Sequence, residues 1–183
     1  GDLAKTNADK AKEYLAKAEK ELNGKVEIEL LSKDGDSDKR IAEFIQGQLE
    51  ETLPGLTINI KTVPQQNSIE LTRKGDYELA IGTWAPDYQD PTSFFANLTT
   101  GNNSAYSNPK YDTLMEEANN KYANEPVKRW ATLMEAEKVM VEDDAAIVPL
   151  FQQSKGQLTQ DGVSGITRHL FGPTMTYKYL VVE

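Results

Sequence analysis

Residues 84–95 read Trp84-Ala85-Pro86-Asp87-Tyr88-Gln89-Asp90-Pro91-Thr92-Ser93-Phe94-Phe95, an indole, a phenol and two carboxylates set between two prolines. These residue types suit two chemistries. Asp87, on a proline-stiffened loop, offers a fixed negative charge to an ammonium group through a charge-assisted hydrogen bond. The faces of Trp84 and Tyr88 add cation–π attraction or an apolar wall. Alternatively, Asp87 and Asp90 divide acid and base roles as in a carboxylate-dependent hydrolase, although nothing in the sequence marks a raised pKa for either. A rigid turn carrying surface acids is the plain structural reading. A second polar stretch, Thr99-Thr100-Gly101-Asn102-Asn103-Ser104-Ala105-Tyr106-Ser107-Asn108-Pro109, exceeds a simple connector in length. Its Asn103 and Tyr106 are candidate hydrogen-bonding partners for a peptide backbone.

Other chemistries lack their residues. The 183-residue chain has no cysteine and one histidine, His169, so thiolate chemistry is excluded and neither a zinc site nor a Ser-His-Asp triad has support. There is no Gly-x-Ser-x-Gly elbow, Walker loop or Gly-x-Gly-x-x-Gly. Asp34, Asp36 and Asp38 alternate as in a calcium loop, but Lys39 and Ile45 stand where such a loop needs glycine and a bidentate glutamate. No cofactor and no metal is expected. A net charge of −9 without a basic cluster argues against nucleic acid and favours a cationic ligand. No apolar run approaches a membrane span, and no signal segment opens the chain. The start at Gly1-Asp2-Leu3 fits a mature terminus or a piece of something larger.

Periodicity supplies the elements that must hold these residues. Asp9–Leu22 carries Ala11, Leu15, Ala18 and Leu22 on one stripe, a helix ended by Asn23-Gly24. Lys25–Leu31 alternates as a strand with one drier face. Asp36 or Ser37 caps a second helix with Ile41, Phe44, Ile45, Leu49 and Leu53 on its core face, stopped by Pro54-Gly55. Leu56–Val63 is a strand, Pro64–Asn67 a turn, Ser68–Lys74 a weak helix, and Tyr77–Ile81 a buried strand. The resulting α-β-α-β-α-β order predicts α/β architecture, an open, mainly parallel sheet flanked by helices in one domain over residues 1–183. The 84–91 loop would then leave the sheet's carboxyl edge, where such sheets bind ligands. Thr92 or Ser93 caps a short helix. Two helices follow, from Pro109 and from Glu125 to Asp144, the second with Trp130 as a core residue. Ala145–Phe151 reads as a buried strand interrupted by Pro149, Gly172-Pro173 as a turn, and Tyr177–Val182 as a closing strand.

The run Trp84-Ala85-Pro86-Asp87-Tyr88-x-Asp90-Pro91-Thr92-Ser93-Phe94 resembles the signature of the C-terminal lobe of oligopeptide-binding proteins, the solute receptors of ABC importers. The similarity continues through Asn102–Asp112 and Leu114, Arg129-Trp130, Ala146–Leu150 and Tyr177–Leu180. It implies one lobe of a two-lobed, periplasmic-binding-protein-like receptor that closes on an extended peptide, without catalysis. Asp87 would match the aspartate that receives the peptide's N-terminal amine, and Trp84 a neighbouring wall residue. Asn103 and Tyr106 fall in a loop of the same lobe. The implied partners are an oligopeptide, an N-terminal lobe absent from this chain and a membrane permease. The receptor would be a monomer outside the cytoplasm, anchored as a lipoprotein through the absent part. A small hydrolase using Asp87 and Asp90 and a scaffold or adhesion domain are the competing readings.

Overall fold

The computed structural model describes residues 5–154 and 156–183. They fall into two compact units. The first comprises residues 5–83 and 98–109, and the second residues 84–97, 110–154 and 156–183.

The first unit is built on α1 (Ala8–Leu22), β1 (Val26–Lys33), α2 (Asp36–Thr52), β2 (Leu56–Val63), α3 (Gln65–Lys74) and β3 (Leu79–Ala80). The strands form a parallel sheet in the order β2-β1-β3, with Ile28 opposite Ile58 and Leu30 opposite both Ile60 and Leu79. The expected α/β class and parallel sheet are therefore present. β1 is not the one-faced strand its alternation predicts. Successive strand residues face opposite sides of a sheet, yet Leu30, Leu31 and Ser32 are all buried, so its second half is covered on both faces. Leu30, Ala42 and Ile58 form the centre of the core, with Ile28, Ile45, Leu49, Leu56, Ile60 and Ile81 packed around them.

α2 starts at Gly35 with no side-chain cap, rather than through Asp36 or Ser37. Asp36 and Asp38 instead lie in its first turn, where they complement the dipole. Its buried face runs through Ala42, Ile45, Leu49 and Leu53, while Phe44, expected in the core, is 68% exposed. The same helix covers the outer edge of β2. Gln46 Nε2 donates to the Ile58 carbonyl at 2.6 Å, and the Ile58 amide donates to Glu50 Oε1 at 2.9 Å. An i, i+4 pair thus satisfies backbone groups that an edge strand would otherwise present to another chain. α3 begins immediately after Pro64, and the 64–67 segment read as a turn is mostly its first turn. It ends at Gly75, whose φ of +73° favours glycine and where a Cβ would lie only 2.8 Å from that of Ala105.

The second unit contains α4 (Thr92–Phe95), the start of a 3₁₀ turn at Ala96, α5 (Pro109–Glu116) from its second residue onward and α6 (Pro126–Lys138), the last two each continued by a π-helical turn. Its buried residues include Tyr111, Met115, Ala118, Leu133, Ala136, Val139 and Met140. The Tyr111 hydroxyl donates to the Phe95 carbonyl at 2.7 Å, so the buried phenol is satisfied. Trp130 does not join this core. It is 58% exposed on α6, beside exposed Val127.

Residues 145–151 form no strand, and Ile147, Val148, Leu150 and Phe151 are exposed. Ala145 turns the backbone to φ 48° and Pro149 lacks a ladder donor, so the apolar run has no pairing in this unit. The chain closes with two short antiparallel ladders. β4 (Val163–Ser164) pairs with β7 (Val181–Val182), and β5 (Thr167–Arg168) with β6 (Met175–Thr176). The closing strand expected from Tyr177 is thus confined to Val181–Val182. No described helix is long and apolar enough to cross a membrane.

Candidate functional site

Trp84, Asp87 and Tyr88 lie together on the loop that opens the second unit, and α4 organises them. Pro91 fixes the approach to this helix, but neither Thr92 nor Ser93 caps it. Asp90 performs that role. Its Oδ1 accepts from the Thr92 amide at 3.0 Å and the Thr92 hydroxyl at 2.7 Å. Ser93, buried in the first turn, holds the loop at two points. Its Oγ accepts the Asp87 amide at 2.9 Å, and its carbonyl accepts the Trp84 Nε1–H at 2.8 Å. The Tyr88 hydroxyl lies 3.3 Å from Thr92 Oγ1. A further tie comes from the β5–β6 turn, where the Gly172 amide donates to the Pro86 carbonyl at 3.3 Å.

The loop's backbone is therefore fixed while its functional groups stay accessible. Trp84 is 45% and Tyr88 51% exposed, and the Asp87 side chain is exposed. Among the described residues Asp87 enters no ion pair. Asp90 is the opposite case. The Arg129 guanidinium grips both its oxygens, Nη1 to Oδ2 at 2.9 Å and Nη2 to Oδ1 at 2.8 Å. That fork, with the Thr92 bonds, holds the Asp90 carboxyl far below the usual carboxylate range. A group so acidic carries no proton at neutral pH and accepts one poorly, so it serves neither as general acid nor as an effective base. The Asp87/Asp90 hydrolase reading loses one of its two members to a structural ion pair.

Asn103 and Tyr106 belong to the first unit, both half-buried on the polar loop. That loop is braced by the Thr100 hydroxyl, which donates to Ser107 Oγ at 3.0 Å, and by the packing of Ala105 on Gly75. His169 is exposed, with Nε2 2.8 Å from Thr176 Oγ1. Among the described residues no cluster of His, Asp or Glu could hold a metal ion. Sequence reasoning missed Arg129 and Gly172 as supports of the loop. The former carries only the signal of a lone arginine on an amphipathic helix, and the latter that of a Gly-Pro turn.

Residues 2–106, more than half of the chain, match the group described as bacterial extracellular solute-binding proteins, family 5, middle region. The chain belongs to the family 5 solute-binding proteins. Its resemblance to the oligopeptide-binding receptors is thereby borne out. This family 5 chain is 32% identical over 177 residues to the dipeptide-binding protein DppE of Bacillus subtilis, covering 94% of this chain and 32% of the relative. It superposes on the substrate-binding domain of an oligopeptide ABC transporter from Bacillus anthracis with a TM-score of 0.86 and 32% identity, over 97% of this chain and 35% of that one. On Listeria monocytogenes OppA bound to peptide the TM-score is 0.81 at 33% identity, over 96% and 34% of the two chains. The family 5 chain thus spans about a third of the length of these relatives. Its relatives are named for binding, not for catalysis.

Proposed function

We propose that this chain is the C-terminal lobe of an extracytoplasmic receptor that captures oligopeptides for an ABC importer, with Asp87 receiving the peptide's N-terminal amine. The observation that carries the reading is an exposed carboxylate without an ion-pair partner among the described residues, on a backbone tied to the same buried serine that fixes Trp84. A charge held ready in this way loses little freedom when an ammonium group arrives, which favours affinity. The names of DppE and of the peptide-bound Listeria protein support a peptide as ligand. Tyr88 extends the aromatic wall, and Asn103 and Tyr106 supply hydrogen bonds to the peptide backbone. The remaining wall comes from an N-terminal lobe of the same receptor, which is a monomer, anchored as a lipoprotein and delivering its ligand to a membrane permease.

Calorimetric titration of the complete receptor with a short peptide, free and N-acetylated, tests this function. The free-amine peptide binds more tightly, and Asp87→Asn lowers its affinity by roughly 30- to 4000-fold, the cost of removing one partner of a desolvated charge pair. Equal affinity of the mutant and the parent receptor for the free peptide sinks the assignment. Titrated alone, the lobe shows little change in Trp fluorescence, because half a cleft buries half the ligand while the cost of immobilising it remains. Micromolar binding by this chain by itself contradicts that.

A further inference from the structure

Arg129 lies 39 residues beyond Asp90 in the sequence, yet its guanidinium is committed to the loop of Asp87. Nη1 and Nη2 make two parallel bonds to Asp90, and Nε donates to the Ala118 carbonyl at 3.2 Å. One side chain on α6 thereby links the π-helical turn after α5 to the start of α4. Asp90 passes the constraint on, since the oxygen that meets Nη2 also accepts both Thr92 donors. Ser93, the next residue, fixes the Asp87 amide and the Trp84 indole. Apart from the peptide bond between Thr92 and Ser93, every link is a hydrogen bond of 3.2 Å or less, and the central one is a fork whose planar geometry sets orientation as well as distance. The pair is also balanced in charge, so the guanidinium braces the loop without adding a net positive charge that would repel an ammonium group.

We propose that Arg129 is a positioning residue for amine recognition, acting through Asp90 and Ser93 to aim Asp87. This rests on the assignment of Asp87 as the amine acceptor. Lysine at position 129 would keep the charge and lose the fork. In the complete receptor the informative quantity is the ratio of affinities for a free-amine peptide and its N-acetylated form. A purely structural defect lowers the active fraction equally for both ligands and leaves the ratio intact, whereas a mis-aimed Asp87 lowers the ratio. Arg129→Lys is expected to reduce it by roughly tenfold, the equivalent of one poorly aligned charge-assisted bond. Ser93→Ala, which removes only the Oγ that holds the Asp87 amide, is expected to reduce it in the same direction and provides the test if the lysine variant folds poorly. An unchanged ratio in both variants, with Asp87→Asn abolishing discrimination, overturns the positioning role alone. Retained discrimination in Asp87→Asn overturns the amine assignment beneath it. In the isolated chain, amide exchange at Asp87 and indole exchange at Trp84 should quicken in Arg129→Lys while the exposed Trp130 indole stays unchanged. Equal exchange at all three overturns the mechanical link.

Discussion

Replacing Asp90 with asparagine isolates the ion pair on which the loop depends. The wild-type carboxylate accepts two bonds from Arg129 and two from Thr92, with both partners of the pair less than a third exposed. Asparagine retains one carbonyl acceptor and turns an NH₂ toward a guanidinium, so the charged fork is lost and Arg129 is left uncompensated. Hydrogen bonds to charged groups contribute about 1.5–3 kcal/mol each, net of the water bonds they replace. Partial exposure screens this pair, and roughly 2 kcal/mol for the substitution as a whole is the expected loss at pH 7. Urea denaturation followed by circular dichroism reads that difference directly, without a change in m-value. The pH dependence adds a second signature. Because folding depresses the Asp90 pKa, its stabilisation is complete above the unfolded carboxylate value of about 3.9 and declines as the pH falls below it. The gap between wild type and Asp90→Asn should therefore stay constant from pH 7 to about pH 5 and narrow below about pH 4. A loss under about 0.5 kcal/mol at pH 7, or a gap that does not change at pH 3, would refute the description of this pair as a tight brace.

Further substitutions test the framework. Gly75→Ala places a methyl group 2.8 Å from the Ala105 Cβ at a φ of +73°, and should cost about 1–2 kcal/mol in the same denaturation assay. Leu31→Ala empties a fully buried site in the central strand and should cost about 2–5 kcal/mol. Phe44→Ala, on the exposed side of α2, should change stability by less than about 0.5 kcal/mol. Replacing both Gln46 and Glu50 with alanine uncovers the backbone of Ile58, and light scattering should then show faster aggregation than for the parent chain.

The parts legible in the sequence are those where local pattern and tertiary environment agree. Alternation located β1 and β2, and Asn23 in the left-handed conformation ends α1 as the Asn-Gly pair announced. The order of helices and strands was enough to predict the parallel sheet. Failures occurred where an apolar residue's partner decided its burial. Phe44 and Trp130 have core-like side chains on helices whose buried stripes pass through smaller neighbours, Ala42 in one case and Leu133 and Ala136 in the other. The run 145–151 has the composition of a strand but no ladder in this unit. At the candidate site, the loop was visible as a combination of residue types, and Asp87 stood out in it as the fixed charge, with Asp90 entering only the hydrolase reading. What the sequence could not show is why the two differ: the fold brings an arginine from 39 positions away onto Asp90 and, among the described residues, gives Asp87 no ion pair.

The amine assignment is tested most directly by the position of a peptide's α-amino nitrogen in a crystal structure of the complete receptor with bound ligand. The nitrogen is expected about 2.7–2.9 Å from an Asp87 carboxylate oxygen, with Asp90 still gripped by Arg129. An amine bound elsewhere, with Asp87 turned to solvent, would contradict it.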